Sequence, residues 1–186
     1  MNMQTTIKTE RLLLRPFVIS DAIRVQTLAS VKEVAVTTAN IPHPYPNELA
    51  EQWISQHLDK WNAGILCSYA ITLSKSNSLI GAISLMNIKN HHAELGYWLG
   101  IDYWKHGYCT EACKAIVAYG FNDLSLTQIN AHHLSSNPAS GRVLIKSGFT
   151  SQGSDTIYWP KTQNTEKIER YFALSCKHHA SSEIQQ

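Results

Sequence analysis

A loop near the middle of the chain carries residue types that can bind an anion. Residues 94 to 99 alternate as a β-strand, residues 100 to 107 form a loop, and a helix is predicted to start near Tyr108. The first turn of a helix has backbone N–H groups without acceptors, and the helix dipole adds partial positive charge there. Gly107 permits close approach of the backbone, and Lys105 and His106 can add donors. The pattern is typical of a pyrophosphate site, although an ordinary strand-to-helix turn would have the same composition.

The cysteines offer little other chemistry. Cys67, Cys109, Cys113 and Cys176 form no CxxC pair, which favours free thiols in a reducing compartment. Cys109, Cys113 and His106 can be combined into a metal site, but a helical stripe explains the two cysteines equally well, and we predict no metal. Cys109 near a helix N-terminus can have a lowered thiol pKa or can be a packed, inert thiol, and we expect the inert one.

Length and charge narrow the class of protein. A chain of 186 residues fits one domain, with a core at about residues 8 to 176 and a polar tail at residues 177 to 186. The formal net charge is +2 and the 16 basic residues are spread along the chain, which argues against a nucleic-acid partner. Residues 1 to 6 carry no apolar run and no stretch is long enough to span a bilayer, so we expect a soluble, cytoplasmic protein without a membrane partner.

Hydrophobic periodicity predicts the elements that position the loop. A strand at residues 10 to 17 is followed by a helix capped at Ser20-Asp21 and by a proline-rich loop at residues 40 to 46. A second helix is predicted after Asn47, with one face formed by Ala50, Trp53, Ile54, His57, Leu58 and Trp61. A hairpin of residues 67 to 73 and 79 to 85 and a strand at residues 93 to 99 follow.

The second half is predicted to continue as helix, strand, helix and closing strands. The helix after the loop ends near Asn122, and a strand spans residues 128 to 134. Asn137-Pro138 opens the next helix and Gly148 closes it. Residues 149 to 174 supply the closing strands. The order favours one mixed α/β domain without internal repeats.

Two segments of the chain resemble the GNAT superfamily of N-acetyltransferases. Residues 94 to 112, ELGYWLGIDYWKHGYCTEA, are similar to its acetyl-CoA signature, and residues 137 to 149, NPASGRVLIKSGF, to its second motif. The opening TERLLLRPF and the proline-rich loop resemble the RimJ- and RimL-like branch, which acetylates ribosomal protein N-termini. The resemblance covers nearly the whole chain. It implies an α/β fold with a mostly antiparallel, mixed sheet, flanked by helices and splayed at its centre to admit acetyl-CoA.

The resemblance also implies roles for individual residues. The backbone at Trp98 and Leu99 would pair with the pantetheine arm, and the Leu99 N–H would donate to the thioester carbonyl. Ser140 would protonate the departing thiolate, unless it is an ordinary solvent-facing serine. Asn137 would cap its helix and order the site, and Arg142 would brace the helix or contact a coenzyme phosphate. The predicted cofactor-binding residues are Trp98, Leu99, Gly100, Lys105, His106, Gly107, Tyr108, Cys109, Thr110, Asn137, Ser140 and Arg142.

The chain departs from the family signature at two positions. The branch often has WGKGYA where this chain has WKHGYC at residues 104 to 109. Gly107 is retained, whereas Lys105 replaces a common glycine and Cys109 replaces the small final residue. Neither change removes a backbone N–H, so we expect pyrophosphate binding to persist with an altered affinity or loop geometry.

The general base and the acceptor pocket are less well specified. Glu94 begins the cofactor strand, close to where some GNAT enzymes carry a base, but it can equally be a surface residue. His132 and His133 are adjacent on one strand, so at most one of them is expected to face the cleft. Tyr45, Trp53 and Tyr97 are candidates for lining an acceptor pocket, although aromatic residues at such spacing are usually core. Of these, Tyr45 and Tyr97 are the predicted substrate residues.

The sequence therefore predicts an acetyl-CoA-dependent N-acetyltransferase in which Ser140, Glu94 and Leu99 act on a directly transferred acetyl group. The preferred acceptor is the α-amine of a protein N-terminus, of the ribosomal-protein type, and the alternative is a small amine such as a polyamine or an antibiotic. A further alternative is a protein that only senses acyl-CoA. We expect a monomer or a homodimer, with acetyl-CoA and the amine as ligands.

Overall fold

The computed structural model describes residues 3 to 175. The predicted polar tail at residues 177 to 186 and Cys176 lie outside this range. One sheet contains eight strands in the order β1-β2-β3-β4-β5-β6-β8-β7, and every pair is antiparallel except β5 and β6. The predicted mixed, mostly antiparallel sheet is therefore confirmed. The strands are β1 Ile7–Lys8, β2 Leu12–Arg15, β3 Leu66–Leu73, β4 Leu79–Lys89, β5 His92–Leu99, β6 Gln128–Leu134, β7 Thr150–Trp159 and β8 Asn164–Leu174.

In the part of the chain that the structure describes, six α-helices flank the sheet on its two faces. They are α1 Ala22–Ala29, α2 Lys32–Val36, α3 Leu49–Ser55, α4 His57–Asn62, α5 Tyr108–Asn122 and α6 Pro138–Lys146. The main apolar core lies between the sheet and α5 and α6, and includes Leu85, Ile116, Ile129 and Leu144. A second cluster lies under α1 and α3, around Val25, Ile54 and Ala70. No helix within residues 3 to 175 is both long and apolar enough to cross a membrane.

The first strand and its helix cap differ from the prediction. The strand predicted at residues 10 to 17 is only Leu12–Arg15, and it ends where Pro16 has no N–H to offer a neighbour. A single 3-10 turn, Ile19–Asp21, precedes α1, and Asp21 occupies the predicted N-cap position, but its side chain makes no capping hydrogen bond to that helix. Its carboxylate instead accepts hydrogen bonds from the Arg15 guanidinium at 2.7 and 2.8 Å and from the Val18 N–H at 3.0 Å.

The single helix predicted after Asn47 is in fact two. It breaks at Gln56 into α3 and α4, so the predicted continuous apolar face is wrong, and Leu58 is 67% exposed. The residue before α3 is Glu48 with φ of 64°, and the Asn47 side chain accepts a hydrogen bond from Gln26 instead of capping. The break turns His57 toward Trp53 and Phe17.

The sheet opens between β5 and β6. These parallel strands pair only over residues 92 to 94 and 128 to 130, although β5 runs on to Leu99 and β6 to Leu134. Beyond Glu94 each strand is paired on its other side only, β5 with β4 and β6 with β8. The central splay that the family resemblance implied is present in the register of the strands.

Candidate active site

The backbone of β5 presents alternate residues to the gap. The Gly100 N–H donates to the Ile80 carbonyl at 2.9 Å, and Leu99 lies opposite Gly81. Because hydrogen-bonded and non-bonded pairs alternate along antiparallel strands, the main-chain groups of Leu99 and Tyr97 face away from β4 into the gap. The main-chain groups of Trp98 face β4, and the Gly100 N–H is already bonded to the Ile80 carbonyl. Leu99 is thus the predicted residue whose N–H is turned toward the opening.

The loop after β5 contains several consecutive backbone N–H groups that are not hydrogen bonded. None of the N–H groups of residues 105 to 110 has a hydrogen-bond acceptor among the described residues. Gly107, the N-cap of α5, has φ of 81°, and Lys105 has φ of 65°. Side chains 105 and 106 are exposed, whereas Tyr108, Cys109 and Thr110 are half-buried. Consecutive free N–H groups at the start of a helix of 15 residues form an anion-binding concavity of the kind that receives a pyrophosphate.

An ion pair holds this loop to the first hairpin. The Glu111 carboxylate accepts hydrogen bonds from the Thr9 hydroxyl at 2.6 Å, the Arg11 N–H at 2.8 Å and the Arg11 Nε at 2.7 Å. The Arg11 Nη1 also donates to the His106 carbonyl at 3.0 Å, and the guanidinium carbon lies 4.8 Å from the Tyr108 ring centre. We call Thr9, Arg11 and Glu111 the loop clamp. Sequence patterns do not predict the loop clamp, because its two halves are about a hundred residues apart.

Desolvation alone would raise the pKa of Glu111, but the hydrogen bonds from Thr9 and Arg11 outweigh it and lower the pKa. The carboxylate is therefore ionised at neutral pH. Its position in the first turn of α5 also places it favourably for the helix dipole.

The start of α6 brings a hydroxyl pair to the gap. The Ser140 Oγ lies 2.8 Å from the Tyr97 hydroxyl, which also lies 3.1 Å from the Ser140 carbonyl. Asn137 caps α6 as expected, and its side-chain oxygen accepts from the Ser140 N–H at 3.4 Å. Burial raises the pKa of Tyr97, so the phenol stays protonated. Sequence reasoning placed Ser140 and Tyr97 in different roles and missed their contact across the gap.

The possible bases lie on the other face of β5 and β6. Glu94 is exposed and accepts from the Asn87 side chain at 3.1 Å. His132 is exposed by surface area, but partial desolvation of its ring by neighbouring residues lowers its pKa, while the Glu94 charge opposes that shift. His133 is buried and bonded to the Leu134 carbonyl and the Tyr171 hydroxyl, so it is structural. Only His132 of the adjacent pair is exposed.

A cleft of about 460 Å³ runs from the gap between β5 and β6 to the helices α2, α3 and α4. We call it the central cleft. Both predicted substrate residues, Tyr45 and Tyr97, line it, together with Trp53, His57, Ser84, Gly96, Trp98, His132 and Ser140. A bridge joins two of the segments beside it, since the Lys161 ammonium between β7 and β8 donates to the carbonyls of Ala35 and Thr38. Thr38 and Trp159 line the cleft on either side of this bridge.

The remaining predicted residues lie as follows. Cys109 is half-buried, and desolvation followed by the nearby Cys113 raises its pKa well above the ordinary thiol value, which supports the inert thiol. Arg142 is exposed on α6 and forms no ion pair within residues 3 to 175. No group of three or more potential metal ligands is found in the same described range.

Comparison with known sequences identifies a family and relatives that match different shares of the chain. A family described as an acetyltransferase (GNAT) domain matches residues 11–150. The uncharacterized N-acetyltransferase YnaD of Bacillus subtilis is 30% identical over 90% of this chain and 95% of its own length. YoaA of Bacillus subtilis is 34% identical, but the match spans 46% of this chain and about half, 49%, of YoaA. The ribosomal-protein-serine acetyltransferase of Escherichia coli is 31% identical over 42% of this chain and 45% of its own length.

Solved structures share the fold. A GNAT-family acetyltransferase from Bacillus anthracis superposes with a TM-score of 0.81 at 26% identity, covering 91% of this chain and 98% of that one. The ribosomal L7/L12 acetyltransferase RimL, in complex with coenzyme A, has a TM-score of 0.81 at 17% identity and covers 92% and 98%. The spermidine N-acetyltransferase of Vibrio cholerae, with CoA and spermine, has a TM-score of 0.77 at 16% identity and covers 90% and 97%.

Proposed function

The chain belongs to the GNAT acetyltransferase family, and from that premise we propose that it acetylates the α-amine at the N-terminus of a protein. It is an N-acetyltransferase that uses acetyl-CoA as its cosubstrate. The observation that carries the proposal for the site is the Ser140 hydroxyl, 2.8 Å from the Tyr97 hydroxyl at the gap that the Leu99 N–H faces. A hydroxyl and a backbone N–H therefore face one opening, which supports Ser140 as the proton donor and the Leu99 N–H as the oxyanion donor.

The unpaired amides of residues 105 to 110 would hold the pyrophosphate, with the loop clamp keeping them in place. The pantetheine arm would lie in the gap and pair with the outward-facing main chain of Tyr97 and Leu99. The thioester would then lie near the Leu99 N–H. A backbone donor that is fixed in advance stabilises the negative charge on the carbonyl oxygen as the amine attacks.

Departure of the thiolate requires a proton. The Tyr97 phenol has one proton to donate, so it can serve either the Ser140 carbonyl or the Ser140 Oγ. When it donates to Oγ, the Ser140 proton is free for the sulfur. We infer that Tyr97 orients Ser140, which is the group that protonates the sulfur. The raised pKa of Tyr97 keeps the phenol from losing its own proton.

Loss of a proton from the amine is the other half of the transfer. An α-amine has a pKa of about 8, whereas a lysine side chain has one of about 10.4, so an α-amine needs little assistance at neutral pH. Glu94 and His132, on the open side of the cleft, would accept this proton directly or through water. This modest base suits an α-amine better than a lysine or a polyamine.

The charge of the cleft also favours this acceptor. Glu94 is the only carboxylate among the described residues that line it. A polyamine carries several positive charges, and a single carboxylate can compensate only one of them. A small amine nevertheless stays as the alternative, because proteins of the same fold include an enzyme for spermidine as well as ribosomal-protein acetyltransferases.

The proposal can be tested with a panel of purified acceptors. Thiol release from acetyl-CoA should be faster with peptides that have a free α-amine than with spermidine or with α-blocked peptides containing lysine. Ser140→Ala should lower kcat by about 100-fold, and Tyr97→Phe by about tenfold, with little change in coenzyme A affinity. Ser136→Ala, an exposed serine just before α6, is the matched control. Unchanged turnover in Ser140→Ala would exclude Ser140 as the proton donor.

An acyl-CoA sensor is the alternative from another class. It would bind coenzyme A and release no thiol with any amine of the panel. The Ser140 and Tyr97 pair argues against it, because a sensor has no need of a proton donor at the open end of the gap.

A further inference from the structure

Trp104 is a large aromatic residue whose position is not explained by core packing. It lies outside the three apolar clusters found within residues 3 to 175, and it is 36% exposed. The indole Nε1–H donates to the Leu99 carbonyl at 2.8 Å. An indole has this one polar hydrogen and no acceptor. The ring is therefore tied to the end of β5 by its only polar group.

The turn after β5 brings the indole back onto the strand. In the 3-10 turn Ile101–Tyr103, the Trp104 N–H donates to the Ile101 carbonyl at 3.1 Å, so the chain reverses its direction. A side chain at position 104 can then reach Leu99, five residues earlier. The unpaired amides of residues 105 to 110 follow directly. The indole bond thus joins the end of β5 to the segment that we assign to the pyrophosphate.

The bonded carbonyl faces the gap, beside the Leu99 N–H. The N–H and C=O of one strand residue point to the same side, and those of Leu99 point away from β4. The peptide unit that joins Leu99 to Gly100 is held at both ends. Its N–H donates to the Ile80 carbonyl at 2.9 Å, and its oxygen accepts from the Trp104 indole. The orientation of the backbone at the gap is therefore fixed before any ligand binds.

A free carbonyl at this point would oppose acetyl transfer. Its oxygen carries partial negative charge and would lie beside the N–H that we assign to the oxyanion, where it would repel the developing charge. This repulsion grows as the bound pantetheine arm excludes water and lowers the local dielectric. The indole N–H places positive charge against the carbonyl oxygen and offsets the repulsion. The Leu99 N–H is then the main group presented to the thioester oxygen.

We propose that Trp104 is a positioning residue for acetyl transfer, whose indole N–H fixes and partly neutralises the Leu99 carbonyl so that the neighbouring Leu99 N–H stabilises the oxyanion. This inference rests on the proposed N-acetyltransferase function and concerns the same site. Trp104 touches neither reacting group and acts through the backbone of Leu99. Its effect should therefore appear in the chemical step more than in cofactor binding.

The first test separates chemistry from binding. Trp104→Phe removes the indole N–H and keeps an aromatic ring. With a free α-amine peptide we expect kcat to fall about tenfold, less than for loss of an oxyanion donor, because the Leu99 N–H itself is retained. Calorimetry should find coenzyme A affinity within about twofold of wild type. Trp104→His, whose imidazole is neutral with one N–H above about pH 8, should recover part of kcat.

A matched control lies in the same turn. Tyr103→Phe removes the hydrogen bond at 3.0 Å from Arg24 to the Tyr103 hydroxyl and leaves the Leu99 carbonyl untouched. It should keep kcat within about twofold of wild type. If Trp104→Phe does not fold, benzothienylalanine at position 104 takes its place, since it replaces only the indole N–H by sulfur.

The infrared band of the thioester carbonyl gives a readout that does not depend on turnover. With isotope-labelled acetyl-CoA bound in the absence of an amine, the band should lie at lower frequency than in solution, because the Leu99 N–H polarises the carbonyl. This shift should be smaller in Trp104→Phe, partly restored in Trp104→His and unchanged in Tyr103→Phe. An indole that only supported the loop would leave the band where it is.

The outcomes separate this inference from the proposed function. An unchanged kcat or an unchanged carbonyl band in Trp104→Phe would overturn the role of Trp104, while acetylation by the wild-type protein would still support the proposed function. Equal losses of kcat in Trp104→Phe and Tyr103→Phe would also overturn it, since the turn as a whole would then be responsible. If the wild-type protein acetylates no amine, both proposals fall.

Discussion

Replacing Glu111 by glutamine tests whether the loop clamp orders the predicted pyrophosphate site. The carboxylate accepts three hydrogen bonds, at 2.6, 2.8 and 2.7 Å, from Thr9 and Arg11. The first two of these bonds go to Oε1 and the third to Oε2, so a glutamine whose oxygen takes the Oε1 position keeps two of them and turns its NH₂ group toward the Arg11 Nε–H. Arg11 is 45% exposed, so solvent screening limits the ion pair itself to about 1 kcal/mol or less. Because the substitution also leaves the Arg11 Nε–H facing another donor, we expect Glu111→Gln to lower the free energy of unfolding by about 1.5 kcal/mol.

The functional effect should appear in cofactor binding and not in chemistry. Because the clamp holds the His106 carbonyl and the first turn of α5, loosening it lowers the fraction of molecules whose amides converge. Calorimetry should show coenzyme A binding weakened by about three- to tenfold, with kcat at saturating acetyl-CoA nearly unchanged. Asp155→Asn is the control, because it removes an ion pair with Arg170 in which both side chains are about half exposed. It should cost less than about 1 kcal/mol and leave binding unaffected.

The dependence on pH follows from the lowered pKa of Glu111. Its contribution to stability is complete above the unfolded-state value of about 4.3 and is lost as the pH falls through the lower folded-state pKa. The difference in unfolding free energy between wild type and Glu111→Gln should therefore shrink below about pH 4. If Glu111→Gln costs no more than Asp155→Asn, or if coenzyme A binds it as tightly as wild type, the loop does not depend on the clamp.

Three further predictions concern other parts of the structure. Asp21→Asn should lower the free energy of unfolding by about 3 kcal/mol at pH 7, because it breaks a partly buried bidentate pair with Arg15. Burial opposes the ionised form of Asp21, but the hydrogen bonds from Arg15 outweigh it and lower the pKa. Urea denaturation should therefore show the stability deficit of Asp21→Asn disappearing only as the pH falls below about 3.9. A deficit that does not depend on pH would contradict the assignment. Position 105 has φ of 65°, a conformation that strains a β-branched side chain but not glycine. Lys105→Val should lower the free energy of unfolding by at least about 1 kcal/mol and weaken coenzyme A binding, whereas Lys105→Gly should change that free energy by no more than about 0.5 kcal/mol. Equal effects of the two variants in denaturation would be evidence against backbone strain there. Cys109 should react with iodoacetamide much more slowly at pH 8 than a free cysteine, because its pKa is raised, and mass spectrometry that finds rapid labelling would refute this.

The local parts of the fold followed from the sequence. The hairpin of β3 and β4 and the capped helix α6 were predicted because alternation, Asn137-Pro138 and Gly148 are signals within a few residues of one another. The break at Gln56 was missed, since an apolar stripe continues through it and the backbone departs from the helix without proline or glycine. Periodicity does not report where tertiary packing divides a helix.

The candidate site likewise has features that a local sequence pattern predicts and features that depend on distant residues. The loop of residues 105 to 110 is contiguous and carries a recognisable pattern, so it could be proposed from the sequence. The contacts of Tyr97 with Ser140 and of Arg11 with Glu111 join residues 43 and 100 positions apart. Such features depend on how distant elements meet, and a single sequence does not encode them in any local pattern.

The Lys161 bridge has a consequence for how large acceptors could enter. It ties the hairpin of β7 and β8 to the end of α2, and both of these segments flank the central cleft. A cleft with such a bridge across its edge would admit a chain terminus but not an internal loop that approaches from the side. On this side, an internal segment of a folded polypeptide would be excluded, because its backbone continues in both directions. A flexible chain terminus could pass beneath the Lys161 bridge.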